Sequence, residues 1–273
     1  MPPFAVQQPR LQDFDAPPLN EVVLGVQFSN PVGYSQIHAG DVRALFKEEY
    51  PLLQELTSLQ PVFETFGNGA SFPQGQIAFF DGPMHDRFWF MRSDGAELVQ
   101  FQQDRLLHNW RKVEDGTNSY PRFESLAPKF HAELEKVQEY MSGLHPQELA
   151  INQCELSYIN HIPVSTTEPL KLSDWISFIS FKKNEPQSFS FGFREVIWDS
   201  QGQPQGRLIC EVTEGIKPNG QRFISLTLTA RGAPQIPSVD SAMNFLSVGH
   251  DLIVNRFVEL TTDKAHQIWG YKK

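Results

Sequence analysis

Hydrophobic and polar positions follow two rhythms along the chain, and each rhythm marks a different kind of element. In Glu21-Val22-Val23-Leu24-Gly25-Val26-Gln27-Phe28, the residues Val22, Leu24, Val26 and Phe28 recur at every second position. That is the period at which side chains share one face of a strand. Asn30-Pro31-Val32-Gly33 ends the strand with turn residues. Asp41 is placed to cap a helix that carries Val42, Leu45 and Phe46 toward Tyr50-Pro51. A β-meander is predicted from Gly67 to Arg111. Its aromatic-rich strands are Gln76–Phe80 and Arg87–Arg92, followed by Leu98–Gln102 and Leu106–Arg111, with Ser93-Asp94-Gly95 and Gln103-Asp104 as turns. The rhythm then changes to steps of three and four. Phe123, Leu126, Phe130, Leu134, Val137, Met141 and Leu144 predict a long helix, with Pro128 splitting off or kinking its first turn.

The second half repeats this order. Ile151–Ile162 reads as a strand with Cys154, Leu156, Tyr158 and Ile162 on one face, and Ser173-Asp174 as the cap of a short helix bearing Trp175, Ile176 and Ile179. Strands over Ser188–Trp198, Arg207–Glu214 and Arg222–Ala230 precede a long helix from about Ser238. A tail helix runs from Thr262 to Trp269 and stops at Gly270. Asn20–Val32 aligns with Asn152–Val164 without gaps, and Asn20/Asn152, Leu24/Leu156, Pro31/Pro163 and Val32/Val164 are identical pairs. The expected fold class is α+β. It consists of two tandem β-α-(antiparallel β-meander)-α units, residues 20–146 and 150–273, each a twisted antiparallel sheet packed on a long helix. An extended arm over residues 1–19, with five of the twenty prolines, precedes them. Joining the two sheets edge to edge about a pseudo-twofold removes two exposed edges at once.

Composition narrows the function classes. Lys and Arg number 23 against 32 Asp and Glu, a formal charge of −9, which argues against general binding to nucleic acid or anionic membranes. No apolar run is long enough to cross a bilayer, and Met1-Pro2-Pro3-Phe4 lacks the features of a signal peptide, so the expected location is the cytoplasm. With only Cys154 and Cys210, neither a disulfide framework nor a cysteine-based zinc site can be built. Both read as small core residues. The eight histidines show no spacing that places two ligands on one face, so neither a metal nor another cofactor is expected. Gly67-Asn68-Gly69-Ala70 lacks the Lys-Ser/Thr of a phosphate loop and reads as an ordinary loop.

The most distinctive polar segment is Arg105–Lys112. On a strand, Arg105, Leu107, Asn109 and Arg111 face away from Leu106, His108 and Trp110. The two arginines and the asparagine in one row suit a carboxylate, a phosphate or a partner loop. Tyr120 and Arg122 are candidates to extend that row. The competing reading pairs Arg111 with an acid such as Glu114 or Glu155 as part of the scaffold. Trp269 is expected to anchor the tail helix in the core rather than to greet a partner.

Several segments together resemble a sporadically distributed prokaryotic family of about this length whose members have no assigned chemistry. They are Pro17–Phe28 (PPLNEVVLGVQF), Gln103–Lys112 (QDRLLHNWRK), Tyr120–Glu124 (YPRFE), Asn152–Ile162 (NQCELSYINHI) and Ala265–Gly270 (AHQIWG). Its patchy distribution resembles that of defence- or mobile-element-associated genes. The expectation is a non-enzymatic binding protein that recognises or neutralises a protein partner, the net acidity suiting a basic one, and a homodimer is compatible with it. The alternative is a small-ligand or nucleotide-binding protein with a phenylalanine-lined pocket between sheet and helix, closed by the Arg105/Asn109/Arg111 row.

Overall fold

The computed structural model describes residues 13–66, 86–113, 116, 118–165, 170–183 and 186–272. Both Gly67–Ala70 and the strand expected over Gln76–Phe80 lie outside them. Among the described residues, eleven strands and four α-helices form in the order β1 (Asp13–Phe14), β2 (Leu19–Phe28), α1 (Ala39–Phe46), β3 (Leu52–Leu56), β4 (Arg87–Met91), β5 (Glu97–Gln102), β6 (Arg105–Arg111), α2 (Phe123–Leu144), β7 (Ile151–Pro163), β8 (Ser190–Trp198), β9 (Pro204–Ile216), β10 (Arg222–Gly232), α3 (Val239–Leu260), α4 (Asp263–Trp269) and β11 (Tyr271–Lys272).

Nine strands make one antiparallel sheet in the order β3-β4-β5-β6-β2-β7-β10-β9-β8, and β1 pairs with β11. The centre of the sheet is the β2–β7 pair, in which Leu24 stands opposite Leu156. Strand β2 also pairs with β6, Leu24 opposite His108, and β7 with β10, Leu156 opposite Ala230. Alternation in β2 sends Val22, Leu24, Val26 and Phe28 into the core, where they meet Leu126, Phe130 and Leu134 of α2 and Leu246 and Ile253 of α3 within one buried cluster. Helix α3 lies against β7 and β10, and α2 lies against α3, α1 and β6. The close seat of α3 depends on Gly249, because a Cβ there would come 2.9 Å from the Cβ of Ala230.

The long helices and their stops follow their local signals. The Ser238 side chain accepts from the Ser241 N–H at the start of α3, and Thr262 accepts from the Ala265 N–H at the start of α4. Gly270 takes the left-handed conformation (φ 67°) that ends α4. Trp269 is buried and tilts against Phe257, with ring centroids 5.4 Å apart. Helix α2 runs unbroken through Pro128, which removes one donor, the one that would reach the Glu124 carbonyl.

Two expected helix starts differ. His38, not Asp41, occupies the N-cap of α1, because a 3₁₀ turn over Gln36–His38 runs straight into it, and Asp41 instead accepts from the Tyr140 hydroxyl. No α-helix follows Ser173-Asp174. A 3₁₀ turn (Leu172–Asp174) is all that forms there, since Ile176 is drawn into a β-bridge with Thr261 and Trp175 stacks on Trp269.

Candidate functional site

The two faces of the sheet carry different chemistry. On the face away from the helices, the Arg105–Arg111 row is consumed by local partners. Arg105, 8% exposed, donates to both carboxylate oxygens of the adjacent Asp104 and to Gln27. Asn109 donates to Glu21 at 2.6 Å and accepts from Gln100. The Arg111 Nε donates to the Gly95 carbonyl at 2.7 Å, inside the turn between β4 and β5. Glu155 is held by the Arg231 Nε at 2.7 Å, not by Arg111, and Glu114 lies outside the described residues. Burial of Glu21 raises its pKa above the usual carboxylate range, and its bond to Asn109 and the charge of Arg111 oppose the shift.

Tyr120 and Arg122 do not extend this row. The segment after β6 crosses to the helix-bearing side, where Tyr120 packs on Trp110 at 5.2 Å, on the opposite face from Arg111. There they line a cavity of about 390 Å³ between the sheet and the two long helices. Its walls come from β1 and the start of β2 (Phe14, Leu19), β7 (Tyr158, Asn160), β10 (Leu228), the first residues of α2, and α3 (His250, Ile253, Phe257). The Arg105/Asn109/Arg111 row is absent from its lining, being on the far side of the sheet.

Three hydrogen-bonding side chains are linked along the wall. The Tyr120 and Tyr158 hydroxyls lie 2.8 Å apart, and the Tyr158 hydroxyl lies 2.8 Å from Nδ1 of His250. The imidazole stacks on Phe123, centroids 4.3 Å apart and planes 6° from parallel. It is 9% exposed, and its Nε2 has no hydrogen-bond partner among the described residues. Burial lowers the His250 pKa, so the ring is neutral at pH 7, and burial also raises both tyrosines well above their ordinary value.

At the rim, Arg122 is the N-cap of α2 and has φ 74° and ψ 156°, the one non-glycine residue at positive φ among the described residues. Side chains with a Cβ avoid this region at a cost of about 1–3 kcal/mol, and such strain persists only where surrounding contacts enforce it. Here the enforcing contacts are Asp13, whose carboxylate accepts from Arg122 at 2.6 Å, and the Phe14 carbonyl, which accepts from the same guanidinium. The nearby Glu124 carboxylate has neither ion pair nor hydrogen bond among the described residues.

A second buried polar cluster sits under α2, outside the cavity. Glu133 accepts from the Tyr50 hydroxyl at 2.5 Å and contacts Nδ1 of His108 at 2.9 Å, while Lys129 bonds Glu97 and Glu49 beside it. Both cysteines are buried. Burial pushes the Cys210 thiol up to about 12 and raises Cys154 further, so neither is a thiolate nucleophile at neutral pH. Among the described residues no group of three or more His, Cys, Asp or Glu is arranged to hold a metal ion, and no helix is long and apolar enough to cross a membrane.

The sequence reading placed Tyr120 and Arg122 among the candidates but missed Tyr158, Asn160 and His250. A signal for them existed: Asn160 interrupts the apolar face of β7, and His250 falls inside the apolar stripe of α3. Comparison with protein-family models, curated proteins and solved structures finds no match to this chain.

Proposed function

We propose that the protein binds a small molecule in the cavity between β7, β10 and the helices α2 and α3. The observation that carries this reading is the joint presence, at one cavity, of the linked Tyr120–Tyr158–His250 row along the wall and a strained arginine at the mouth. About 300–1,000 Å³ with a few convergent polar groups is the usual make-up of a ligand site, and the volume here falls in that range. Backbone strain concentrates where ligands are clamped.

A comparison within the chain supports the same view. We infer that the two halves are tandem copies related by a pseudo-twofold through the Leu24–Leu156 pair, consistent with the matched strands 20–32 and 152–164. Helices α2 and α3 both have 22 residues. The buried positions Phe123, Leu126, Phe130, Glu133, Leu134, Val137 and Met141 of α2 fall on Val239, Ala242, Leu246, Gly249, His250, Ile253 and Phe257 of α3, all buried as well. On this correspondence Val26, Phe28 and Leu134 fill the first unit where Tyr158, Asn160 and His250 line the cavity of the second. The apolar solution is thus available to this architecture, which supports a role for the polar one.

The test is native purification from the host followed by mass spectrometry of what denaturation releases. A stoichiometric small molecule is expected with the wild-type chain and not with Val254→Trp, which fills the cavity. A stoichiometric protein partner with no small molecule would overturn the reading. One observation favours that second reading, recognition of a basic protein: on the edge strand β8, Trp198 is 61% exposed at its end and Phe178, 47% exposed, packs on its Phe191. Loss of the partner in Trp198→Ala would support it.

A further inference from the structure

Resting on the cavity reading, we propose that the ligand is an organic cation, an amine or ammonium group carried on an aromatic or apolar body. The body sits among the rings of Phe14, Tyr120, Tyr158 and Phe257, and the charge lies toward Glu124.

The charges on the cavity decide the sign. Asp13 and Arg122 neutralise each other through their 2.6 Å contact. The second guanidinium end of Arg122 is taken by the Phe14 carbonyl. His250 is neutral and feels the negative charges of Glu124 and Asp251, and the Tyr120 and Tyr158 hydroxyls feel Glu124 more strongly than the opposing Arg122. What remains uncompensated on the rim is the carboxylate of Glu124. An anionic ligand would have to displace Asp13 from Arg122 and approach Glu124 against repulsion. A cation needs neither, and aromatic rings attract cations through their quadrupoles. The formal charge of the whole chain, −9, adds a long-range attraction of the same sign. His250, whose Nδ1 is bonded to Tyr158, offers its Nε2 as a hydrogen-bonding site in the wall for a polar atom on the ligand body.

Three probes share one ring system and differ in side-chain charge: tryptamine (cation), tryptophol (neutral) and indole-3-acetate (anion). Isothermal titration of the full chain at pH 7 is expected to show tryptamine binding at least fivefold tighter than tryptophol, with indole-3-acetate weakest, as about 1 kcal/mol of rim electrostatics and cation–π attraction implies. Glu124→Gln should remove that advantage and leave tryptophol unchanged, and Val254→Trp should abolish binding of all three. If tryptophol matches tryptamine, the charge assignment is wrong while the cavity reading stands. Tightest binding by indole-3-acetate would overturn the assignment by showing that ligands exchange with Asp13 at Arg122. If none of the three binds, the proposal fails, and the co-purification experiment separately decides whether the cavity is a site at all.

Discussion

Replacing Arg122 by glycine and by alanine separates backbone strain from side-chain contacts. Both substitutions remove the ion pair to Asp13, whose partners are 42% and 45% exposed, a loss of about 0–1 kcal/mol at such exposure. Only glycine also relieves the backbone, since φ 74° with ψ 156° is a conformation that alanine resists by about 1–3 kcal/mol. At ordinary positions glycine is the worse residue by about 0.5–1 kcal/mol, because it loses more chain entropy on folding. The strain wins here, so Arg122→Gly should be more stable than Arg122→Ala by about 1–2 kcal/mol, the reverse of the usual order. Urea midpoints measure this directly, and the calorimetric gap should be a few degrees in Tm for a chain of this size. Arg122→Gly should also equal or exceed the wild type in stability. If alanine proves equal to or better than glycine, Arg122 is not held in a strained conformation, and the strain argument for a site at the start of α2 falls.

Other outcomes follow from buried groups. Burial lowers the pKa of His250, so its contribution to stability is present above the unfolded value of about 6.5 and is lost as pH falls below it. Stability measured from pH 7.5 to 5 should therefore decline less steeply in His250→Leu than in the wild type, and an unchanged slope would refute the assignment. Glu133→Ala strands His108 and Tyr50 in the core and should cost about 3–5 kcal/mol. Arg92→Ala, whose ion pairs are long and partly exposed, should cost under about 1 kcal/mol by the same denaturation assay. Gly249→Ala forces a Cβ against Ala230 and should destabilise despite alanine's helix preference, whereas Gly143→Ala, with open space around it, should stabilise slightly. Cys154 and Cys210 should label slowly with a thiol reagent in the native state and rapidly in urea, and fast native labelling would contradict their burial.

The strands and long helices were legible because their apolar periods are long and uninterrupted, as in Val22 to Phe28 and Phe123 to Leu144. The starts of the last two helices, near Ser238 and Thr262, were legible because capping bonds act within three residues. Short elements were not. What happens after Ser173-Asp174 is decided by Thr261 and Trp269, some ninety residues away, and no local pattern reports that. The Arg105 row was placed on the correct side of its strand, yet its partners Asp104, Gln27 and Gly95 come from turns and a neighbouring strand that alternation alone does not specify. The cavity gathers Tyr120, Tyr158 and His250 across separations of 38 and 92 residues, so no spacing motif marks it. What marks it in the sequence is a polar residue at a position where the period calls for an apolar one.

The pairing of β2 with β7 also sets a schedule for synthesis. Strand β2 has its β6 partner once residue 111 has left the ribosome, but its other edge waits until β7 is complete at residue 163. At ~5–20 residues per second that interval is roughly 3–10 s, during which Val22–Phe28 presents open backbone donors and acceptors to its surroundings. Slowing elongation between these points, or depleting the chaperones that shield nascent edges, should lower the soluble yield of this chain more than equal delays after residue 163.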